Sequence, residues 1–145
     1  VAVIARNRSS QSVGIVKDFG LRAGAVASSF AHDSHNLLVV GRDAAEMATA
    51  ANAVREMGGG VAVVREDAVI AALRLPVLGL LSDAPLDDIV RDFDAMEDAL
   101  RALGVQHQRP FLMLSLLSLS VSPKFKFTDK GVIDTGRRQL LPAWE

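Results

Sequence analysis

The chain contains no cysteine. That absence removes disulfides, thiolate metal sites, a cysteine nucleophile and any zinc site built on paired cysteines. There is no excess of either charge: Lys and Arg number 16 against 17 Asp and Glu, for a net charge of −1. Such a balance gives no electrostatic handle for nucleic acid or for an anionic membrane surface. Long apolar runs are also missing. The longest nearly apolar stretch, Phe111 to Val121, would reach about 16 Å as a helix, too short to span a bilayer. No secretory signal is visible, and a soluble, cytoplasmic protein is expected. No GxxxxGK[ST] or GxGxxG frame surrounds Gly58-Gly59-Gly60, so this run reads as a helix stop with close packing and not as a phosphate loop. Half of the 145 residues are apolar and 23% are charged, the make-up of one globular domain able to bury a core without staples. The first residue is Val1, not Met, and the opening residues already read as a strand. A fragment or trimmed product is the expectation from that start.

Short β-rich segments come first: Val1 to Ala5, Gly14-Ile15-Val16, Gly24 to Ala27, and Leu37 to Val40, the last apolar throughout as a strand buried on both faces would be. A helix follows, with Asp43 as N-cap and Glu46 three residues on as in a capping box. Met47, Ala50, Val54 and Met57 recur at helical spacing up to Gly58. Val61 to Val64 and Val69 to Leu75 flank Arg65-Glu66-Asp67, a hairpin turn. Ser82-Asp83 opens a second helix whose Leu86, Ile89, Val90, Phe93, Met96, Leu100 and Leu103 share one face; its many aspartates read as solvated surface. Phe111 to Leu119 reads as a short helix and Lys124 to Asp134 as an edge hairpin turning at Lys130-Gly131. The expected class is α+β, or α/β, with a mixed sheet covered by two main helices in a single domain.

Reactive side chains concentrate in one place, His32-Asp33-Ser34-His35-Asn36, between two strand candidates. Connections at a sheet end are common places to build a site on a rigid scaffold. A neutral imidazole can ligate a divalent metal, an aspartate can orient a histidine or accept a proton, and Ser and Asn can hydrogen-bond a polar heterocycle. A helical turn would bring His32 and His35 to one side, whereas a straight strand would separate them. The same residue types also serve plain ends: Asp, Ser and Asn form turns, and two imidazoles can satisfy buried backbone groups. A closed metal site needs three or four ligands, so this segment would need help from elsewhere. His107 reads as a surface residue. Ser115, Ser118 and Ser120 have no general base placed by the sequence.

The run from Gly24 through His32-Asp33-Ser34-His35-Asn36 to Gly41 resembles the motif of the adenine deaminase C-terminal domain family. Gly58-Gly59-Gly60-Val61, Leu75-Pro76-Val77-Leu78-Gly79-Leu80-Leu81-Ser82-Asp83, Pro110 to Ser115 and Lys126-Phe127-Thr128-Asp129-Lys130-Gly131 resemble its later motifs, in order, so the resemblance takes in residues 1–145 as one domain. It implies a role in converting adenine to hypoxanthine and ammonia, by attack of a metal-activated water on C6 of the purine. In that family the metal centre, holding manganese, iron or zinc, sits in a barrel N-terminal to this domain, with an H-x-H pair among its ligands. This chain has no H-x-H and is too short for eight βα units, so the barrel is absent from it.

On that resemblance the partners implied are the barrel of the same polypeptide, adenine, and further copies in a homo-oligomer. His32 and Asp33 are the candidate catalytic residues, and Ser34, His35 and Asn36 the candidate substrate contacts. His32 and His35 are also candidate metal ligands, and the chain alone is expected to be inactive. Two departures bear on activity: Ala5-Arg6-Asn7 stands where the family shows Glu-Arg-His, and Pro123-Lys124-Phe125 where it shows Pro-Glu-Leu. The rival expectation is a stand-alone assembly module that keeps the fold without catalysis.

Overall fold

In a strand, successive side chains point to opposite faces, and the apolar segments of this chain use both. The computed structural model describes residues 1–141; the end of the expected domain, at 145, lies outside the described residues. Strands β1 (Ala2–Ile4), β2 (Gln11–Val13), β3 (Ala25–Ser28), β4 (Leu37–Gly41), β5 (Gly60–Arg65) and β6 (Ala68–Arg74) form one sheet in the order β2-β1-β4-β3-β5-β6. Every one of its ladders is antiparallel, so the fold is α+β, and the sheet expected as mixed is antiparallel. One face carries small residues, Ala25, Ala27 and Ala62 with Val39 and Val64; the other carries Val26, Leu38, Val40, Val61 and Val63.

Two helices cover these faces. α1 (Ala44–Glu56) lies on the alanine-rich side through Ala50 and Val54, where small side chains let it approach closely. α2 (Leu86–Ala102) lies on the other, with Met96, Leu100 and Leu103 buried against the larger residues. Of the apolar face expected for α2, Leu86 and Val90 are instead exposed. The Asp43 carboxylate caps α1 by accepting from the N–H groups of Ala45 (2.8 Å) and Glu46 (3.3 Å). The capping box is only half made, because the Glu46 carboxylate accepts from the N–H of Glu66 (2.7 Å) and so ties α1 to the β5–β6 hairpin. Glu66 and Asp67 there have φ of 52° and 60°, the left-handed pair that a tight two-residue hairpin requires. α2 begins later than Ser82-Asp83: Pro85 sits at the N-cap and Ser82 Oγ accepts from the N–H of Ala84 instead. No helix among the described residues is long and apolar enough to cross a membrane.

After α2 come a short helix, α3 (Pro110–Ser115), a 3-10 turn over Leu116–Ser118, and a second sheet of three antiparallel strands, β7 (Phe125–Thr128), β8 (Gly131–Asp134) and β9 (Gln139–Leu141). The hairpin turns at Lys130-Gly131 as expected, but β9 is an addition that too few apolar residues announced. The second strand of the chain is Gln11–Val13 and not Gly14 to Val16. Gly14 instead lies against Phe127, where an added Cβ would come within 2.8 Å of that ring. This contact seats the small sheet on the β1–β2 edge of the large one.

Candidate functional site

The loop between β3 and β4 is fastened before its reactive residues begin. Ser29 Oγ accepts from the N–H of Gly60 (2.8 Å) and donates to the C=O of Gly79 (2.7 Å). Phe30 then anchors an aromatic cluster, its ring centroid 5.5 Å from Phe111, which in turn lies 5.5 Å from Phe93 on α2. His32 to Ser34 form a turn, closed by the His35 N–H donating to the C=O of Ala31 (2.7 Å). His35 has φ 49°. The turn brings the two imidazoles to one side, 6.0 Å apart, against Phe30 at 5.1 Å (His32) and 5.9 Å (His35). The α3 segment grips the loop backbone from behind: the His32 N–H donates to the C=O of Ser115 (3.3 Å), and Ser118 Oγ donates to the C=O of His32 (2.9 Å).

The side chains of this loop divide by environment. His32 is 37% exposed and Asp33 72% exposed, while Ser34 is exposed and Asn36 buried. His32 Nδ1 lies 4.0 Å from Asp33 Oδ1, too far for a hydrogen bond, so neither group is tied up by the other. His35 differs. Its Nδ1 is buried with no hydrogen-bond partner among the described residues, a state that costs about 1–3 kcal/mol unless a ligand supplies one. Burial, and after it the positive charges of His32 and Arg6, lower its proton affinity below that of an ordinary imidazole, with Asp33 opposing. Asn36 is committed within the fold: its Oδ1 accepts from the Arg6 N–H (3.1 Å) and its Nδ2 donates to Asp129 Oδ1 (3.2 Å).

Three clefts meet at this loop. One of about 500 Å³ lies between the end of β1 and α1, lined by Arg6, Ser29, His35, Asn52 and Arg55. A second, of about 330 Å³, is lined by Asp33, Ser34, Ser118, Asp129 and Lys130. The third, of about 360 Å³, includes Arg6, Arg8, Ser34 and Asn36. Among the described residues no three of His, Asp and Glu come together as a metal-binding group, so His32 and His35 alone fall short of the three or four ligands of a closed metal site. His107 stands apart, exposed, its Nδ1 accepting from the Arg109 N–H (3.1 Å). Arg6, Asp129 and Lys130 were not singled out as site residues by the amino-acid sequence. The only signal for them was that Ala5-Arg6-Asn7 and Lys126 to Gly131 fell in motif-like stretches.

Over residues 1–139 the chain matches the family model described as the adenine deaminase C-terminal domain. It belongs to that family. An adenine deaminase of Cereibacter sphaeroides is 46% identical to it over 98% of this chain and 26% of its own length. That of Oleidesulfovibrio alaskensis is 42% identical over 99% and 26%, respectively, and that of Moorella thermoacetica 44% identical over 93% and 23%. The chain thus spans about a quarter of the length of these curated relatives, and the family's deaminase name covers proteins with much more chain than the domain described here.

Proposed function

We propose that this domain completes the active site of an adenine deaminase, docking on an N-terminal barrel and presenting the His32–His35 loop to the purine. The observation that carries this reading is a loop fastened by hydrogen bonds at Ser29, at the His32 carbonyl and at Asn36, while the side chains of His32, Asp33 and Ser34 remain open to solvent. Purely structural residues in such a turn would be paired inside the domain. In this reading Asp33 or His32 delivers the proton that the departing amine nitrogen requires, while Ser34 and His35 hydrogen-bond the heterocycle. Asn36, with both polar ends used inside the domain, positions the loop in place of the substrate contact expected of it. In this reading the divalent metal, whether manganese, iron or zinc, is held by the barrel. Leu78, Leu81 and Leu86 are 69%, 61% and 72% exposed and supply apolar surface for docking on the barrel or on a second copy.

The test compares the isolated chain with a full-length protein that carries this domain. The isolated chain, supplied with manganese, iron or zinc, should release no ammonia from adenine, whereas the full-length protein should. In the latter, His32→Ala or Asp33→Ala should lower turnover about 10²-fold or more with little change in melting temperature. Wild-type turnover in both variants, or deamination by the isolated chain, would overturn the reading.

A further inference from the structure

We infer that Asp129 is a positioning residue of this site, holding the His32–Asn36 loop in register through Asn36; the inference rests on the proposed catalytic role of that loop. The Asp129 carboxylate bridges two segments remote from it in sequence. Its Oδ2 accepts from Ser10 Oγ (2.5 Å), in the loop after β1, and its Oδ1 accepts from Asn36 Nδ2 (3.2 Å), at the entrance to β4. Asn36 passes the connection on by accepting the Arg6 N–H at 3.1 Å. The two loops at the end of the β1–β4 ladder are thereby joined to the β7–β8 hairpin of the other sheet at one carboxylate.

The support beneath Asp129 is itself stiff. Thr128 Oγ1 donates to the C=O of Gly131 (2.8 Å) and accepts from the N–H of Lys130 (3.2 Å), which closes the hairpin around Asp129. Ser12 Oγ donates to the C=O of Thr128 and fixes the hairpin to β2. Asp129 and Lys130 line the same cleft as Asp33 and Ser34. A site placed on a loop turns over well only if its second layer locks it, because an error of about 1 Å at the reacting groups costs about 10²-fold in rate. Asp129 supplies that lock from a different sheet, so the small sheet has a task beyond covering an edge. A group that served only to join the two sheets would not need to share a cleft with Asp33 and Ser34.

The test uses the full-length protein. Asp129→Ala should lower kcat about 10²-fold, with the melting temperature close to wild type. Asp129→Asn should recover about tenfold of that loss, because its carbonyl can still accept from Asn36 and its amide can donate to Ser10 Oγ. If Asp129→Ala yields no folded protein, Asn36→Ala breaks the same connection without touching the hairpin and is read in its place. Turnover at the wild-type level in the folded variant, while His32→Ala is slow, would overturn the positioning role and leave the site assignment standing. So would a loss in Asp129→Asn equal to that in Asp129→Ala, or activity that merely tracks the folded fraction. Wild-type turnover in His32→Ala would remove the site assignment first, and this inference with it.

Discussion

Strands β3 and β4 and the loop between them are neighbours in sequence and follow different physical rules. In the strands, Ala25, Val26, Ala27, Leu38, Val39 and Val40 are almost wholly buried, and their alternate side chains feed two cores under two helices. What matters there is volume: an apolar residue of the right size would serve. The loop from Ser29 to Asn36 holds its place through directed contacts with Gly60, Gly79, Ser115, Ser118 and Asp129, each from a distant part of the chain. The strands therefore carry stability and the loop carries geometry, and substitutions in the two should separate melting from activity.

The sharpest break in the packed region should come at Gly60. Its φ is 137°, and an added Cβ would stand 2.1 Å from the Leu73 carbonyl oxygen, on the neighbouring strand. Backbone cannot yield there without parting β5 from β6, so Gly60→Ala should destabilise the chain by about 4 kcal/mol or more. A urea midpoint within experimental error of wild type would show that the β5–β6 edge is softer than its hydrogen bonding suggests. Next in size is Leu100→Ala. Leu100 is completely buried beneath the large-residue face of the sheet, and its truncation should cost about 2–5 kcal/mol. A markedly smaller loss would mean that α2 can settle into the cavity.

Leu100 belongs to a helix whose apolar spacing is plain in the amino-acid sequence, and the run Leu37 to Val40 announces a strand buried on both faces. Period and composition are local properties, so the α+β class, both main helices and the order of most strands were legible. The start of α2 was not, because Ser82 spends its hydroxyl on Ala84 and leaves the N-cap to Pro85. Nor was β9, whose Gln139-Leu140-Leu141 is short and mostly exposed. The site was legible only in part. A cluster such as His32-Asp33-Ser34-His35-Asn36 stands out by residue type, but which members stay open depends on partners that sequence distance hides. Asn36 loses its freedom to Arg6 and Asp129, residues 30 and 93 positions away. Nothing local in Lys126 to Gly131 distinguishes Asp129 from any turn aspartate.

A smaller effect is expected at Asp43, where the contact is directed but lies on the surface. Its carboxylate satisfies two N–H groups at the start of α1, and Asp43→Ala should cost about 1 kcal/mol. The Glu46 link to Glu66 should hold the first turn in place meanwhile. Combined with Glu46→Ala, the loss should exceed the sum of the two single losses, which a double-mutant cycle in urea would measure. Simple additivity would mean that cap and hairpin contact act independently.

The smallest shift should come from His35, where the two regions meet. Burial and the nearby charges of His32 and Arg6 disfavour its protonated form in the folded chain, against a weaker pull from Asp33. Unfolding returns the ring to water, where it takes up a proton more readily. The unfolded state therefore binds more protons over the interval between the lowered value and the usual imidazole value of about 6.5, and stability must rise with pH across it. The contribution of neutral His35 is complete above that usual value and is lost as the pH falls below it. Urea midpoints taken from about pH 7.5 down to about pH 5.5 should decline for the wild-type chain, and decline less for His35→Gln, which cannot take up the proton. An equal slope in the two would show that the buried Nδ1 of His35 is relieved by water or by a shift of the turn. The loop would then be looser than the strands that hold it, and the case for a preorganised site would weaken with it.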